Sequence, residues 1–568
     1  MDQYPGPGDS RANAKRGRPP AQAFSARVWA RPFTRVTRSM PTRRLPVHPP
    51  RSRIATLLFG LLLLPMAALA QSGPPAELEG IEAFVEQGMQ DWEIPGLAVS
   101  VVKDDALVWA RGFGVRRLGH PEPVDADTLF NVASVSKAFN AAALGLLVDE
   151  GLVNWDDPVS GHLPQLQLYD PYVTHAATVR DMLAHRVGLG RLTGNRLRWI
   201  SARDRSEQIA RLRHLPPEQG FREGYVYSNV LYMVAGEVVP AVTGTPWETF
   251  VEQRLFAPLG MATSLAGGSR LDESGNVAWP HQEIDGTVVE IPRRNFDAVG
   301  PAASVHSSAR EIASWMRLHL GTPGEFEGNV LLSSATVEEM HRAQNPIRGR
   351  AFEPLTAYGL GWRLGSHEGR QTSSHSGAVD GMNSLLMLVP EEGLGIFITT
   401  NTFNNFTTAL ARRIVDAYIG VDGRDRHGET FNRYVEQKAR AQAERDAIHA
   451  ARIRGTRPSG PLRDFTGGYD DLLYADAAVR LEDGRLVLQL WDDPEQVADL
   501  EHWHHDTFRA VWRNRAMREE FVWFTRGREG GIDQLHIDWN LRPAVLQVGA
   551  YPSSYRRVGS FRRVADGE

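Results

Sequence analysis

A hydroxyl and an amine three residues apart, in Ser134-Val135-Ser136-Lys137, carry the sharpest chemical signal in this 568-residue chain. At the start of a helix, that spacing sets both groups one turn apart on one face. Serine is a poor nucleophile until its proton is taken. Lysine can take it only when neutral, and lowering its reference pKa of about 10.4 by ~3 units costs about 4 kcal/mol. Burial supplies such a shift because desolvation disfavours the charged form, and the apolar residues Phe139, Leu144 and Leu147 that follow offer the setting. Ser136 falls off that face and is assigned packing or a hydrogen bond. A second cluster, Tyr227-Ser228-Asn229, brings a phenol able to relay a proton and an amide able to hold a substrate carbonyl. A third, His375-Ser376-Gly377, precedes an apolar stretch, and its glycine admits close approach of an extended substrate. The next amide, Ala378, could pair with that of Ser134 as an oxyanion hole, where one donor is worth ~3–4 kcal/mol. Each cluster has a plainer reading: a capping serine with a surface lysine, Asn229 as a helix N-cap, and a satisfied polar residue at a strand start.

These groups lie up to 240 residues apart, so elements must gather them. Residues 97–114 read as two strands joined by a tight turn at Asp104-Asp105. Ser134–Glu150 has helical spacing and stops at Gly151. Helical patterns recur at Thr178–His185, Val230–Val242 and Ala309–Leu320; strand character returns at 384–389 and 395–400, followed by a helix near Phe406–Tyr418. The expectation is an α/β (α+β) fold: an antiparallel sheet flanked by helices, with a helical subdomain, over 76–422. Thr430–Arg454 reads as one long helix, within a helical linker spanning 423–461 that ends Pro/Gly-rich. Residues 462–568 predict a small, separate β-sheet or barrel, with a hairpin at Asp483-Gly484.

The three clusters, in this order, resemble the serine β-lactamase and penicillin-binding-protein superfamily, class C β-lactamase-like members above all. The resemblance covers about 80–420 and extends to Leu183-Ala184-His185-Arg186-Val187-Gly188-Leu189, Val242–Met261 and His375–Asn401. It implies acyl transfer by a catalytic set of Ser134, Lys137, Tyr227 and His375: Ser134 attacks a carbonyl, Lys137 takes its proton, Tyr227 assists, His375 opens the third motif and water releases the acyl group. Asn229, Ser376 and Gly377 would hold substrate, and the amides of Ser134 and Ala378 the oxyanion. The implied substrate is a small molecule or peptide carrying an amide or ester, with no cofactor and no metal. Where many relatives have lysine in the third motif, this chain has His375, mostly neutral at pH 7 and a weaker carboxylate anchor. That favours a peptidase or esterase over the alternative of a true β-lactamase or D,D-carboxypeptidase. A catalytically silent sensor of cell-wall fragments is the rival from another class. The C-terminal segment resembles a β-domain that limits substrate access or mediates assembly in some members.

Composition narrows the rest. Hydrophobic residues make up 42% and charged residues 23%, a globular mixture. A net charge of −5 gives no field for nucleic acid. The absence of cysteine excludes disulfides, thiol nucleophiles and Cys-ligated zinc. No G-x-S-x-G, H-E-x-x-H or phosphate loop occurs. His502, His504 and Asp506 could suggest a metal site; a solvated strand is the plainer account. Trp491, Trp503 and Trp523 are taken as exposed aromatics, with core packing as the alternative. Arg51–Arg53, the apolar run Ile54–Leu64 and Ala68-Leu69-Ala70 describe a signal peptide over 40–70, cleaved after Ala70, hence export to periplasm or medium. An uncleaved anchor is the alternative. Residues 1–39 are expected to be disordered and upstream of the true start. Thr42-Arg43-Arg44-Leu45 is only a weak twin-arginine signal, with Pro46 where an apolar residue belongs.

Overall fold

The computed structural model describes residues 73–190, 204–347, 355–517, 519–539 and 558–564. The signal-peptide reading and residues 1–39 lie outside them. The chain divides into Met1–Ala67 and a compact unit, Ala68–Glu568, that contains every element below.

An eight-stranded antiparallel sheet organises the site. Its strands are β1 (Gly96–Lys103), β2 (Ala106–Gly114), β3 (Asn345–Ile347), β4 (Thr356–Tyr358), β5 (Arg363–His367), β6 (Arg370–Val379), β7 (Met382–Val389) and β8 (Leu394–Thr400), in the order β2-β1-β8-β7-β6-β5-β4-β3. The β1–β2 turn falls at Asp104-Asp105, both in the left-handed region (φ 50° and 61°), as a two-residue hairpin of matching twist requires. Alternation sorts the side chains of β1. Leu97, Val99 and Val101 join the core under helix α1 (Ile81–Asp91) and helix α5 (Phe406–Ile419). Ala98 and Val102 face the larger core around helices α2 (Ser136–Asp149), α3 (Asn229–Gly236) and α4 (Ala309–Leu320). Both faces are therefore covered, and β1 is buried over seven of its eight residues.

Two helices differ from their sequence reading. Ser134 sits not in α2 but in a 3₁₀ turn, Ala133–Val135, that leads into it. The Val230–Val242 pattern is two helices, α3 and Val238–Thr243, because Pro240 has no N–H to bond back to Gly236.

Helix α6 (Arg426–Ala450) is the long helix read from the sequence. Its start is pinned by Asp416, which accepts from Arg426 Nε at 2.6 Å and His367 Nε2 at 2.7 Å. Beyond it, eight strands from Gly467–Asp471 to Val558–Arg563 close into a barrel. The barrel was read as a separate domain, but its apolar interior is continuous with the core beneath the sheet. Arg211 donates to Leu472 O at 3.0 Å, and Gln282 to Ala516 O at 3.1 Å. Trp491 and Trp503 are buried rather than exposed: Trp491, in the turn after a barrel strand, donates to Tyr474 O, and Trp503 packs against His449 of α6 at 5.1 Å and Phe521 at 4.8 Å. Trp523 is half-buried and stacks on His536 at 5.1 Å. His502, His504 and Asp506 bind backbone: His502 meets His505 O, His504 Nδ1 accepts from Ile453 N, and Asp506 receives the Ser459 N–H and hydroxyl. They fasten the linker to the barrel. No group of three or more metal-binding side chains is found among the described residues.

Candidate active site

Ser134 stands on a strained turn. Ala133 before it has φ 51°, a left-handed conformation that costs a non-glycine residue about 1–2 kcal/mol. Local bonds hold it there: Ala133 N–H donates to Asn131 Oδ1 at 2.7 Å, and the Ser136 hydroxyl donates to Ala133 O at 2.6 Å. Ser136 also accepts from Val305 N–H at 3.0 Å, so the residue read as packing or hydrogen bonding does both. From Asn131 to Asn140 every residue is buried except Ser134. The turn exposes that hydroxyl alone.

Lys137 is fully buried. Its Nζ lies 3.0 Å from Ser134 Oγ, 2.7 Å from Asn229 Oδ1 and 2.9 Å from the carbonyl oxygen of Ala302. Tyr227 O–H donates to Ser134 Oγ at 2.8 Å. Lys137 and Tyr227 thus meet on the Ser134 oxygen, and Asn229, 95 positions from Ser134, joins them through the lysine. Asn229 is the first residue of α3, capped by Ser228 without a side-chain bond, so the N-cap reading does not hold. Its amide oxygen serves the lysine, which leaves only the Nδ2 end for the substrate role. Ala302 was not legible as a site residue, because a backbone carbonyl has no residue type. It arrives through a short helix, Gly300–Ala303, tied to the nucleophile turn where Val132 N–H meets Val305 O at 2.9 Å.

The third cluster reaches the site through Gly377. A Cβ there would collide with Val132 O and Ser384 Oγ and come within 2.9 Å of Ala133 Cβ. Only glycine lets β6 lie against the Ser134 turn. Strand β5 pairs with β6 no further than Ser374, whereas β7 pairs with it out to Val379. Among the described residues, His375–Val379 therefore has a strand on one edge only, with Ser376 exposed and Ala378 half-buried.

His375 is brought near but differently engaged. It is buried, its Nδ1 lies 2.8 Å from Ser376 O, and its Nε2 lies 2.8 Å from Tyr358 O–H. A carbonyl can only accept, so Nδ1 carries the proton and Nε2 accepts from Tyr358. Burial pushes the imidazole down to about 3. The ring is neutral at any physiological pH and lies 6.3 Å from that of Tyr227. No bond from His375 to Ser134 or Lys137 is formed. Sequence reading also passed over His185, whose buried ring packs at 4.5 Å on Tyr227; it was visible only as part of a resembling stretch.

Residues 81–419 match the family described as Beta-lactamase. The chain belongs to that family. A second match, over 451–548, is to a domain of unknown function, DUF3471. Among similar proteins, an unguisins hydrolase (ungD) of Aspergillus violaceofuscus is 26% identical, covering 64% of this chain and 68% of its own. Protein flp of Staphylococcus aureus is 22% identical over 63% of this chain and 69% of its own. Of solved structures, the octameric penicillin-binding protein homologue from Pyrococcus abyssi superposes with TM-score 0.54 at 19% identity, covering 81% and 98% of the two chains. SurE, solved with D-Leu, gives 0.50 at 21%, covering 86% and 100%. These structures share the fold: this beta-lactamase-family chain has the helix-flanked antiparallel sheet expected from its sequence, followed by a closed barrel.

Proposed function

We propose that the protein is a serine hydrolase that cleaves an amide or ester through an acyl-enzyme on Ser134. The observation that carries this reading is the convergence of Lys137 Nζ and Tyr227 O–H on Ser134 Oγ, at 3.0 and 2.8 Å. Asn229 Oδ1 and Ala302 O are pure acceptors. A neutral Lys137 donates to both and keeps its lone pair for the serine proton. Ser134 Oγ then attacks the substrate carbonyl as its proton passes to Lys137. The oxyanion is held by the amides of Ser134 and Ala378. Collapse expels the leaving group, which receives the proton through Tyr227. Water, deprotonated by the same pair, releases the acyl product and restores Ser134.

The open edge at His375–Val379 suits an extended substrate. A peptide is favoured by that edge and by the D-Leu named with SurE, and hydrolysis by the name of the unguisins hydrolase. D-amino-acid peptides, cell-wall-derived peptides and small esters form the proposed class. The neutral, doubly bonded His375 supplies no cation for a β-lactam carboxylate, which places a true β-lactamase or D,D-carboxypeptidase second. An exported setting is part of the proposal, checked by N-terminal sequencing of protein recovered outside the cytoplasm. The test of the reaction is steady-state kinetics of wild type and Ser134→Ala on D-amino-acid amides, short-chain esters and nitrocefin. Turnover of an ester or amide that disappears in the variant is the expected result. Undiminished turnover in the variant overturns it.

A further inference from the structure

Tyr227 is the one proposed catalytic group that lies on a loop, and something must hold its phenol on Ser134. The residue placed to do so is His185. Its backbone sits in the left-handed region, φ 57°, straight after the short helix Val179–Leu183. From there it grips the loop on both sides of Tyr227. The Ser228 N–H donates to His185 Nδ1 at 3.1 Å, and the Val226 N–H donates to His185 O at 2.9 Å. Between those two anchors the imidazole packs against the Tyr227 ring at 4.5 Å, with Tyr358 at 4.7 Å and Tyr232 at 5.0 Å around it. The backbone of the turn is itself fixed. Asn345 Nδ2 donates to Ala184 O at 2.9 Å. Fully buried Asp181 binds Arg186 on one side of the turn and Arg222 Nη2 at 2.6 Å on the other.

We infer that His185 is a positioning residue for proton delivery: as the acceptor for Ser228 N–H, it sets the phenol of Tyr227 at the leaving-group side of Ser134. This rests on the proposed acyl transfer and adds a residue that touches neither substrate nor the serine. Because Nδ1 accepts a backbone N–H, the ring is the tautomer protonated on Nε2. The role needs an acceptor at that point and a residue that tolerates positive φ. Asparagine meets both demands; phenylalanine keeps the ring and loses the acceptor.

The consequence is selective. A p-nitrophenolate leaves without a proton, whereas an alkoxide or amine needs one. His185→Phe should therefore lower kcat/KM, which reports acylation and not the shared deacylation step, roughly tenfold to hundredfold on an alkyl ester and only a few-fold on the matching p-nitrophenyl ester. His185→Asn should restore most of the alkyl-ester rate. A merely structural role predicts equal losses on both esters, tracking the folded fraction measured by circular dichroism. Equal losses, or no loss, overturn the inference. Should His185→Phe fail to fold, His185→Ala takes its place beside His185→Asn: a selective alkyl-ester loss in the alanine variant that asparagine largely restores supports the acceptor role, and equal losses on both esters, or none, contradict it. Ser134→Ala run alongside separates the two claims, since activity that survives it refutes the acyl-enzyme reading rather than the role of His185.

Discussion

The sheet with its helices and the C-terminal barrel are both antiparallel β structures with dense apolar cores, yet they bury very different things. Around Ser134 the interior holds Lys137, Asn140, Asp181, His185, Ser228, Asn229 and His375. In the barrel, from Gly467 to Arg563, only Gln496 and Glu520 are buried polar residues among those described. Burying a charge or an amide is costly unless each is bonded. The half around Ser134 accepts that cost and uses the bonds to fix side chains; the barrel avoids it and gains stability from packing. The lesson is that damage to the two halves should separate. Polar changes near Ser134 should cost activity out of proportion to stability, and barrel changes the reverse.

The largest effect expected is that of Lys137→Met, which removes the proposed base while filling similar volume. It should lower kcat by roughly a thousandfold or more, measured on whichever ester the wild type turns over best. A loss under tenfold would remove Lys137 from the mechanism. Next comes a paired comparison on stability. Asp181→Ala strips the buried carboxylate from the partly exposed Arg186 and Arg222 and from the Thr178 N–H and should cost about 1–3 kcal/mol, with kcat falling as the Tyr227 loop loosens. Phe524→Ala, in the barrel core against Phe465 and Phe508, should cost a larger ~3–5 kcal/mol with kcat per folded molecule unchanged. Denaturant unfolding with parallel kinetics checks both, and equal kcat losses in the two variants would erase the contrast.

Taken per histidine and per pH unit, the smallest effect is that of pH. Burial holds His306 and His341 down to about 4 and His375 to about 3. In the unfolded chain these rings titrate near 6.5. Between those values the unfolded chain binds more protons, so stability falls as pH falls from 6.5 towards 4, by about 1.4 kcal/mol per histidine per pH unit. Above pH 7 they contribute no slope. Thermal melts from pH 8 to pH 4 should show a plateau and then a decline; a flat profile would place these rings in water.

Much of the fold was legible because its signals are local. Asp104-Asp105 and Asp483-Gly484 announce their hairpins, and the spacing of Ser134 and Lys137 needs only a helical turn. The order of the three clusters carried Tyr227 and Asn229 with them. What escaped was set by distant chain. Ala302 offers a carbonyl that any residue could supply, and Tyr358 reaches His375 across two strands. Trp503 is buried under His449 and Arg452, some fifty residues earlier in the chain, and no local pattern encodes that cover. The strained φ of Ala133 was equally hidden, since it follows from Asn131, Ser136 and Gly377 acting together.

The central claim is that the hydroxyl of Ser134 is the group that becomes acylated. Incubation of the folded protein with a fluorophosphonate probe, followed by proteolysis and mass spectrometry of the labelled peptide, tests it most directly. A single adduct on Ser134, abolished in Ser134→Ala and strongly slowed in Lys137→Met, is the outcome predicted. Labelling of any other residue, or labelling that persists in Ser134→Ala, would contradict it.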